Sequence, residues 1–168
     1  MAALLADGEN GVELCLIRRA ERASDPWSGH MALPGGHLDP GDADLLAAAV
    51  RETREELGVE LDREAQLLGR LRDFQPVKSL DLSVTPFIFG IGQRPTVSLN
   101  PEVDLALWIP VAELASGATR FEHELSLGGQ ALRFPAFRVG QHVVWGLTYR
   151  VVEELLSQIE AAGQDLSR

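Results

Sequence analysis

Two apolar runs open the chain, residues 2–6 and 12–18, separated by the turn cluster Asp7-Gly8-Glu9-Asn10-Gly11. That pattern predicts a hairpin of two strands. A polar stretch over 19–28 leads to a short strand expected at 29–33, stopped by Pro34-Gly35-Gly36, since proline has no amide proton for a ladder. A loop rich in Gly, Pro and Asp follows. The chain's clearest helix is then expected at 43–57, with Asp42 or Asp44 as N-cap, strong helix formers throughout and Gly58 as the C-terminal stop. Segments 66–74, 82–91 and 103–109 read as strands, being apolar, partly alternating and bounded by Pro, Gly or Asn. A short helix at 110–114, a hairpin at 125–134 around Gly128-Gly129 and a final helix at 143–162 complete the pattern. Strands and helices mix without strict alternation, repeat or linker, which predicts an α/β fold with a mixed sheet covered by helices.

Composition narrows this picture. With 168 residues, 45% of them hydrophobic, the chain is expected to form a single domain over 1–168 with a sizeable core. A formal charge of -10 would repel long polyanions, so no nucleic acid polymer is expected as a partner. Cys15 is the one cysteine and lies in the apolar run Leu14-Cys15-Leu16-Ile17; an internal disulfide is excluded, and a buried, inert thiol in a reducing cytoplasm is expected. No basic leader precedes the first strand and no long apolar stretch occurs, so neither export nor a membrane span is expected. Monomer and homodimer both fit.

Glu52, Glu55 and Glu56 stand at i, i+3 and i+4 of the expected helix and share one side of it. Leu46, Ala49, Val50, Thr53 and Leu57 cluster on roughly the opposite side, which should pack on the sheet and leave the acids pointing away from the core. Three carboxylates so close disfavour one another's ionisation, and a hard divalent cation, Mg2+ or Mn2+, suits such all-oxygen ligands. Ala48 leaves space on the acidic side, and Gly35-Gly36 can bring bare backbone to a ligand. Taken alone, such an acidic window more commonly means a solvated surface with ordinary ion pairs, here to Arg51 and Arg54.

The whole of residues 36–59 says more, because it resembles the Nudix box: Gly, five residues, Glu, seven residues, then Arg-Glu-aliphatic-x-Glu-Glu-x-Gly-aliphatic. Residues 51–59 match the second half. Asp42 stands where that Glu is usual, eight residues separate it from Arg51, and Thr53 replaces the aliphatic. Asp42 and the extra residue are similar to the coenzyme A pyrophosphatase branch, as are residues 14–18, Gly29-His30-Met31-Ala32-Leu33-Pro34-Gly35-Gly36 and Trp145-Gly146-Leu147-Thr148. Leu33 replaces the branch's Phe, and Arg19 stands where Ser is frequent.

The resemblance implies a Nudix-type α/β/α sandwich with the catalytic helix at about 43–57 on a mixed sheet. It assigns Glu52, Glu55, Glu56 and the Gly36 carbonyl to the metal. Arg51 would orient a glutamate, and Glu102, preceding Trp108-Ile109-Pro110, would be a further acid; Glu55 and Glu102 both remain open as general base. The implied reaction is attack of an activated water on one phosphorus of a diphosphate. Its substrate is a small nucleoside diphosphate derivative, coenzyme A or an acyl-CoA, with ADP-ribose, a dinucleotide or a nucleoside triphosphate as alternatives, and a non-catalytic nucleotide-binding module as the competing class. Arg18, Arg19 and Arg22 are candidates to grip phosphates, with Gly35 and Gly36 beside them. Trp27 and Phe74 are candidates to stack on adenine or to serve as core, and His37 lies in the glycine loop. His30, His123 and His142 show no ligand spacing and receive no role, and residues 116–141 contribute contacts of unspecified kind.

Overall fold

A computed structural model of the protein describes residues 1–23, 27–76, 82–127 and 130–163. β1 (Ala2–Gly8) and β2 (Gly11–Arg19) form the expected antiparallel hairpin, Leu5 facing Leu14 and Gly8 facing Gly11. β3 (Met31–Ala32) is shorter than the strand expected at 29–33 and pairs with the end of β2. The helix expected at 43–57 is α1 (Leu45–Leu57), capped by the Asp44 carboxylate accepting from the Ala47 amide at 2.8 Å and closed by Gly58 in the left-handed region. One turn, α2 (Leu61–Glu64), follows without having been expected.

Strands 66–74 and 82–91 are corrected to β4 (Gln66–Arg70) and β5 (Phe87–Ile91), joined beyond their ends by one isolated bridge between Phe74 and Val84. β6 (Val103–Pro110) and α3 (Val111–Ala115) lie within a residue of their expected places. β1 pairs in parallel with β5, β5 antiparallel with β4, and β2 antiparallel with β6, so the sheet is six-stranded and mixed.

Period-two alternation sorts the central strands onto two faces. Ala2, Leu4, Ala6, Cys15 and Ile17 pack with Ala49 and Leu57 of α1. Ala3, Leu5, Leu14 and Leu16 belong to the opposite core, with Leu114, Phe137, Val151, Val152 and Leu155. The architecture is therefore an α/β/α sandwich. Cys15 lies fully buried, and desolvation pushes its thiol up to about 12, so it stays an unreactive thiol at neutral pH.

The second layer departs from expectation. β7 (Arg120–Leu127) and β8 (Gln130–Val139) form a far longer hairpin than 125–134; its turn at 128–129 lies outside the described residues. Residues 143–145, expected in the final helix, are extended instead: β9 (His142–Trp145) pairs with β8, and α4 (Gly146–Ala161) begins after it. Gly146, with φ of 65°, breaks the two apart, and the β-branched Val143 and Val144 suit a strand better than a helix. α4 is fastened to the main sheet by the Thr148 hydroxyl, which donates to the Met31 carbonyl at 3.1 Å. Among the described residues no helix is long and apolar enough to cross a membrane.

Candidate active site

The loop from Pro34 to Asp44 folds back over α1 and is pinned there by one arginine. Arg51 donates from Nε and Nη2 to the two oxygens of Asp42, both at 3.0 Å, from Nη2 to the His37 carbonyl at 3.0 Å, and from Nη1 to Glu52 and Glu55 at 3.0 and 3.1 Å. A planar guanidinium is the side chain suited to so many convergent acceptors. The hydrogen bonds from Arg51 hold the Asp42 carboxyl below its ordinary range, so the clamp stays charged. The Asp39 amide donates to Asp42 as well, at 2.8 Å. Asp42 thus has a structural job that the motif marked only by its place in the box.

The three glutamates differ. Glu55 is half exposed and turned to Arg51; Glu52 is mostly covered and also held by Arg51. Glu56 corrects the expectation that all three acids point away from the core: it is only 3% exposed. Its position explains this, since Glu56 stands i+3 from buried Thr53 and i+7 from buried Ala49, at the margin of the packed face. Its Oε2 accepts the Gly35 amide at 2.8 Å. Burial pushes the Glu56 carboxyl up to about 7, against that hydrogen bond, with Glu52 raising it further, Arg19 lowering it and Glu102 raising it.

Both glycines of the loop are required by close approach. Gly35 has φ of 137°, a backbone conformation that strains other residues, and a Cβ there would strike the Met1 backbone. A Cβ on Gly36 would run into the Glu52 carboxylate. The turn therefore lies directly on Glu52 and Glu56.

These donors fit a divalent metal in chemistry: carboxylate and carbonyl oxygens, one carboxylate desolvated beside another. Among the described residues no three acidic, His or Cys side chains converge on one point, because Arg51 draws Glu52 and Glu55 to itself while Gly35 holds Glu56. Of the donors that the resemblance implies, Glu52 and Glu56 lie against the Gly35-Gly36 turn and could hold such an ion together with Glu55 and the Gly36 carbonyl.

The other expected site residues divide. Arg19 and Glu102 both act electrostatically on Glu56, so the fold brings them to the carboxylate end of the sheet. Glu102 is exposed and paired with Arg22 at 2.8 Å; Arg22 also donates to the Pro101 carbonyl. Arg18 pairs with Asp104 at 2.9 Å. Phe74 is fully buried under the guanidinium groups of Arg72 and Arg150 and cannot stack on a ligand, so it is core. Trp27 is exposed, its ring 6.2 Å from His30. His30, His123 and His142, which spacing left without a role, line one cleft together with Trp145. They come from distant segments, and no signal in the sequence joins them.

Comparison with known proteins follows the same lines. The NUDIX domain family matches residues 1–126. Mitochondrial coenzyme A diphosphatase NUDT8 of Homo sapiens is 35% identical over 166 residues, covering 90% of this chain and 68% of that protein. A Nudix hydrolase named NudL from Photorhabdus laumondii is 30% identical over 146 residues, covering 86% of this chain and 76% of its own. Among solved structures, the Nudix hydrolase RenU from M. smegmatis superposes with a TM-score of 0.64 at 16% identity, covering 99% of this chain and 87% of that one, a likeness of fold alone.

Proposed function

This chain belongs to the Nudix hydrolase family, and from that premise we propose that it is a divalent-metal-dependent pyrophosphohydrolase of coenzyme A or an acyl-CoA. The observation that carries the chemistry is Glu56: a carboxylate buried to 3% exposure, raised to about 7, and set between Glu52 and the Gly35 amide. A desolvated anion beside a second anion is stabilised by a cation, and Mg2+ or Mn2+ with a diphosphate supplies matched charge. Support for the substrate comes from the likeness to coenzyme A diphosphatase over 90% of the chain and from the loop in which Asp42 replaces the usual glutamate.

A bound divalent ion would neutralise charge on the phosphate oxygens and lower the pKa of the attacking water. The chain's own residues do the rest. Glu52, Glu56 and the Gly36 carbonyl would hold the ion, with Glu55 extending this set. Arg51 fixes Glu52 and Glu55 and, through Asp42, the loop that carries Gly35 and Gly36. Glu55 or Glu102 accepts the proton of water attacking one phosphorus; the P–O bond to the bridging oxygen breaks and the second phosphate leaves as a monoester. Arg19, near Glu56, meets the diphosphate charge.

The test incubates the protein with Mg2+ or Mn2+ and coenzyme A, ADP-ribose, NADH, dinucleotides and nucleoside triphosphates, with Glu56→Gln in parallel and products resolved by mass. Metal-dependent release of 4′-phosphopantetheine and adenosine 3′,5′-bisphosphate, absent in the variant, is expected. Cleavage of another member instead would discard coenzyme A and keep the chemistry. No cleavage of any member would overturn the enzyme reading and leave a binding module.

A further inference from the structure

A second site lies around the end of β2 from the carboxylates. An open cleft of about 290 Å3 is lined by Arg18, His30, His123, His142, Gln141 and Trp145, among others. Arg18 follows Leu16 and Ile17 in the alternation of β2, which puts it on the α4 side of the sheet. Its neighbour Arg19 acts on Glu56. His30 and Met31 lead directly into the Gly35-Gly36 turn. The two sites thus share one end of the sheet while using opposite faces of it.

The cleft's chemistry is unlike the rest of the molecule. The chain carries a formal charge of -10, yet among the described residues the lining contains no acidic side chain and presents one arginine and three histidines. Trp145 is the centre of its aromatic wall: the rings of His30, His123 and Phe134 lie 5.2, 5.7 and 5.6 Å from it, tilted by 56°, 53° and 51°. Arg18 commits Nη2 to Asp104, while its buried Nε donates to nothing among the described residues; an acceptor on a ligand would satisfy it. Aromatic faces hold flat rings, and imidazole and guanidinium N–H groups hold phosphate oxygens. Its volume is near the lower end of small-molecule sites, roughly 300 Å3 upward, which suits a nucleoside rather than a whole coenzyme.

We propose that this cleft is the nucleoside subsite, taking a purine base against Trp145 and the flanking imidazoles with its phosphomonoester toward Arg18. The inference rests on the proposed coenzyme A hydrolysis, whose diphosphate would span from Glu52 and Glu56 around the end of β2. It assigns His30, His123, His142 and Trp145 to recognition of the adenosine half, leaving the pantetheine half outside the cleft.

The test is binding rather than turnover. Adenosine 3′,5′-bisphosphate, which has no diphosphate bond to cleave, is titrated by calorimetry into the wild type, His123→Ala and Trp145→Phe, with 4′-phosphopantetheine as the second probe. Each variant is checked for an unchanged melting temperature; Trp145→Phe keeps an aromatic ring at the start of α4, and His123→Ala removes only a partly exposed ring from β7. The expected result is bisphosphate affinity lowered about tenfold in both variants, the size expected for one stacking contact, with 4′-phosphopantetheine unaffected. Quenching of tryptophan fluorescence by the bisphosphate should weaken in Trp145→Phe. Equal bisphosphate affinity in all three proteins, or no affinity in the wild type, overturns the subsite. If coenzyme A is hydrolysed while the bisphosphate ignores the cleft, the subsite alone fails. If nothing is hydrolysed but the bisphosphate binds as described, the chemistry alone fails.

Discussion

The carboxylate helix and the aromatic cleft meet at one end of β2 and are built in opposite ways. The first is local: Gly35, Gly36, Asp42, Arg51, Glu52 and Glu56 fall within 22 consecutive residues, tied by charged hydrogen bonds near 3 Å from Gly35 to Glu56 and from Arg51 to Asp42 and Glu52, with Gly36 pressed against the Glu52 carboxylate. The second is assembled from β2, the turn before β3, β7 and β9, segments that strand pairing and α4 bring together. Local construction suits a group of fixed charges whose positions decide a reaction. Long-range construction suits a surface that reads the shape of a ligand, because its parts can change singly without undoing the charged clamp.

If that division is correct, changes at the carboxylates should lower kcat for every substrate, whereas changes in the cleft should raise KM for adenosine-bearing ones. Glu56→Gln is the severest case: a loss of roughly 1000-fold in kcat, about 4 kcal/mol of barrier, with the fold retained. Steady-state kinetics would contradict the role if more than about a tenth of the activity survived.

The same residue gives the next largest effect, on stability. Its carboxyl sits at about 7 in the fold against an ordinary 4.5. The folded state therefore binds more protons between those values, so this group's contribution is most favourable below 4.5 and is lost as pH rises through about 7. In chelator at about pH 8, Glu56→Gln should stabilise the protein by up to about 3 kcal/mol, and at about pH 4 by almost nothing. Denaturant unfolding at both pH values reads this, and a variant equally stable or less stable at the higher one would show that the buried charge is already compensated.

Arg51→Lys comes third. A lysine cannot reproduce the bidentate grip on Asp42 together with the contacts to Glu52, Glu55 and the His37 carbonyl. We expect kcat/KM to fall roughly 30-fold, about 2 kcal/mol, on all substrates alike. An effect confined to KM of one substrate would move Arg51 from the clamp to substrate recognition. Glu102→Gln should do least, under about tenfold, because this carboxylate is exposed and paired with Arg22. A loss near that of Glu56→Gln would instead make Glu102 the general base.

Much of the first region was readable from the chain. Asp44 and Gly58 bound α1 where capping chemistry places them, and the Arg51-to-Val59 run with its glycine loop carried the family resemblance. The period of α1 also gave the packed face, with Ala49, Thr53 and Leu57 buried. It misjudged Glu56, because helical spacing gives an angle around an axis and says nothing of what covers the margin. Here the Gly35 turn covers it.

The second region was almost unreadable. Residues 143–145 looked helical because their apolar spacing continues into α4, while the partner that makes them a strand, β8, is defined only by pairing. His30, His123 and His142 are single polar residues in unrelated segments, so no window of sequence holds two of them. The sequence by itself determined α1, its caps and the β1–β2 hairpin, which depend on neighbours a few residues apart. The tertiary structure decided the burial of Glu56 and the gathering of Arg18, three histidines and Trp145. Those depend on which strands pair and which loop covers which helix, and local periodicity carries no record of either.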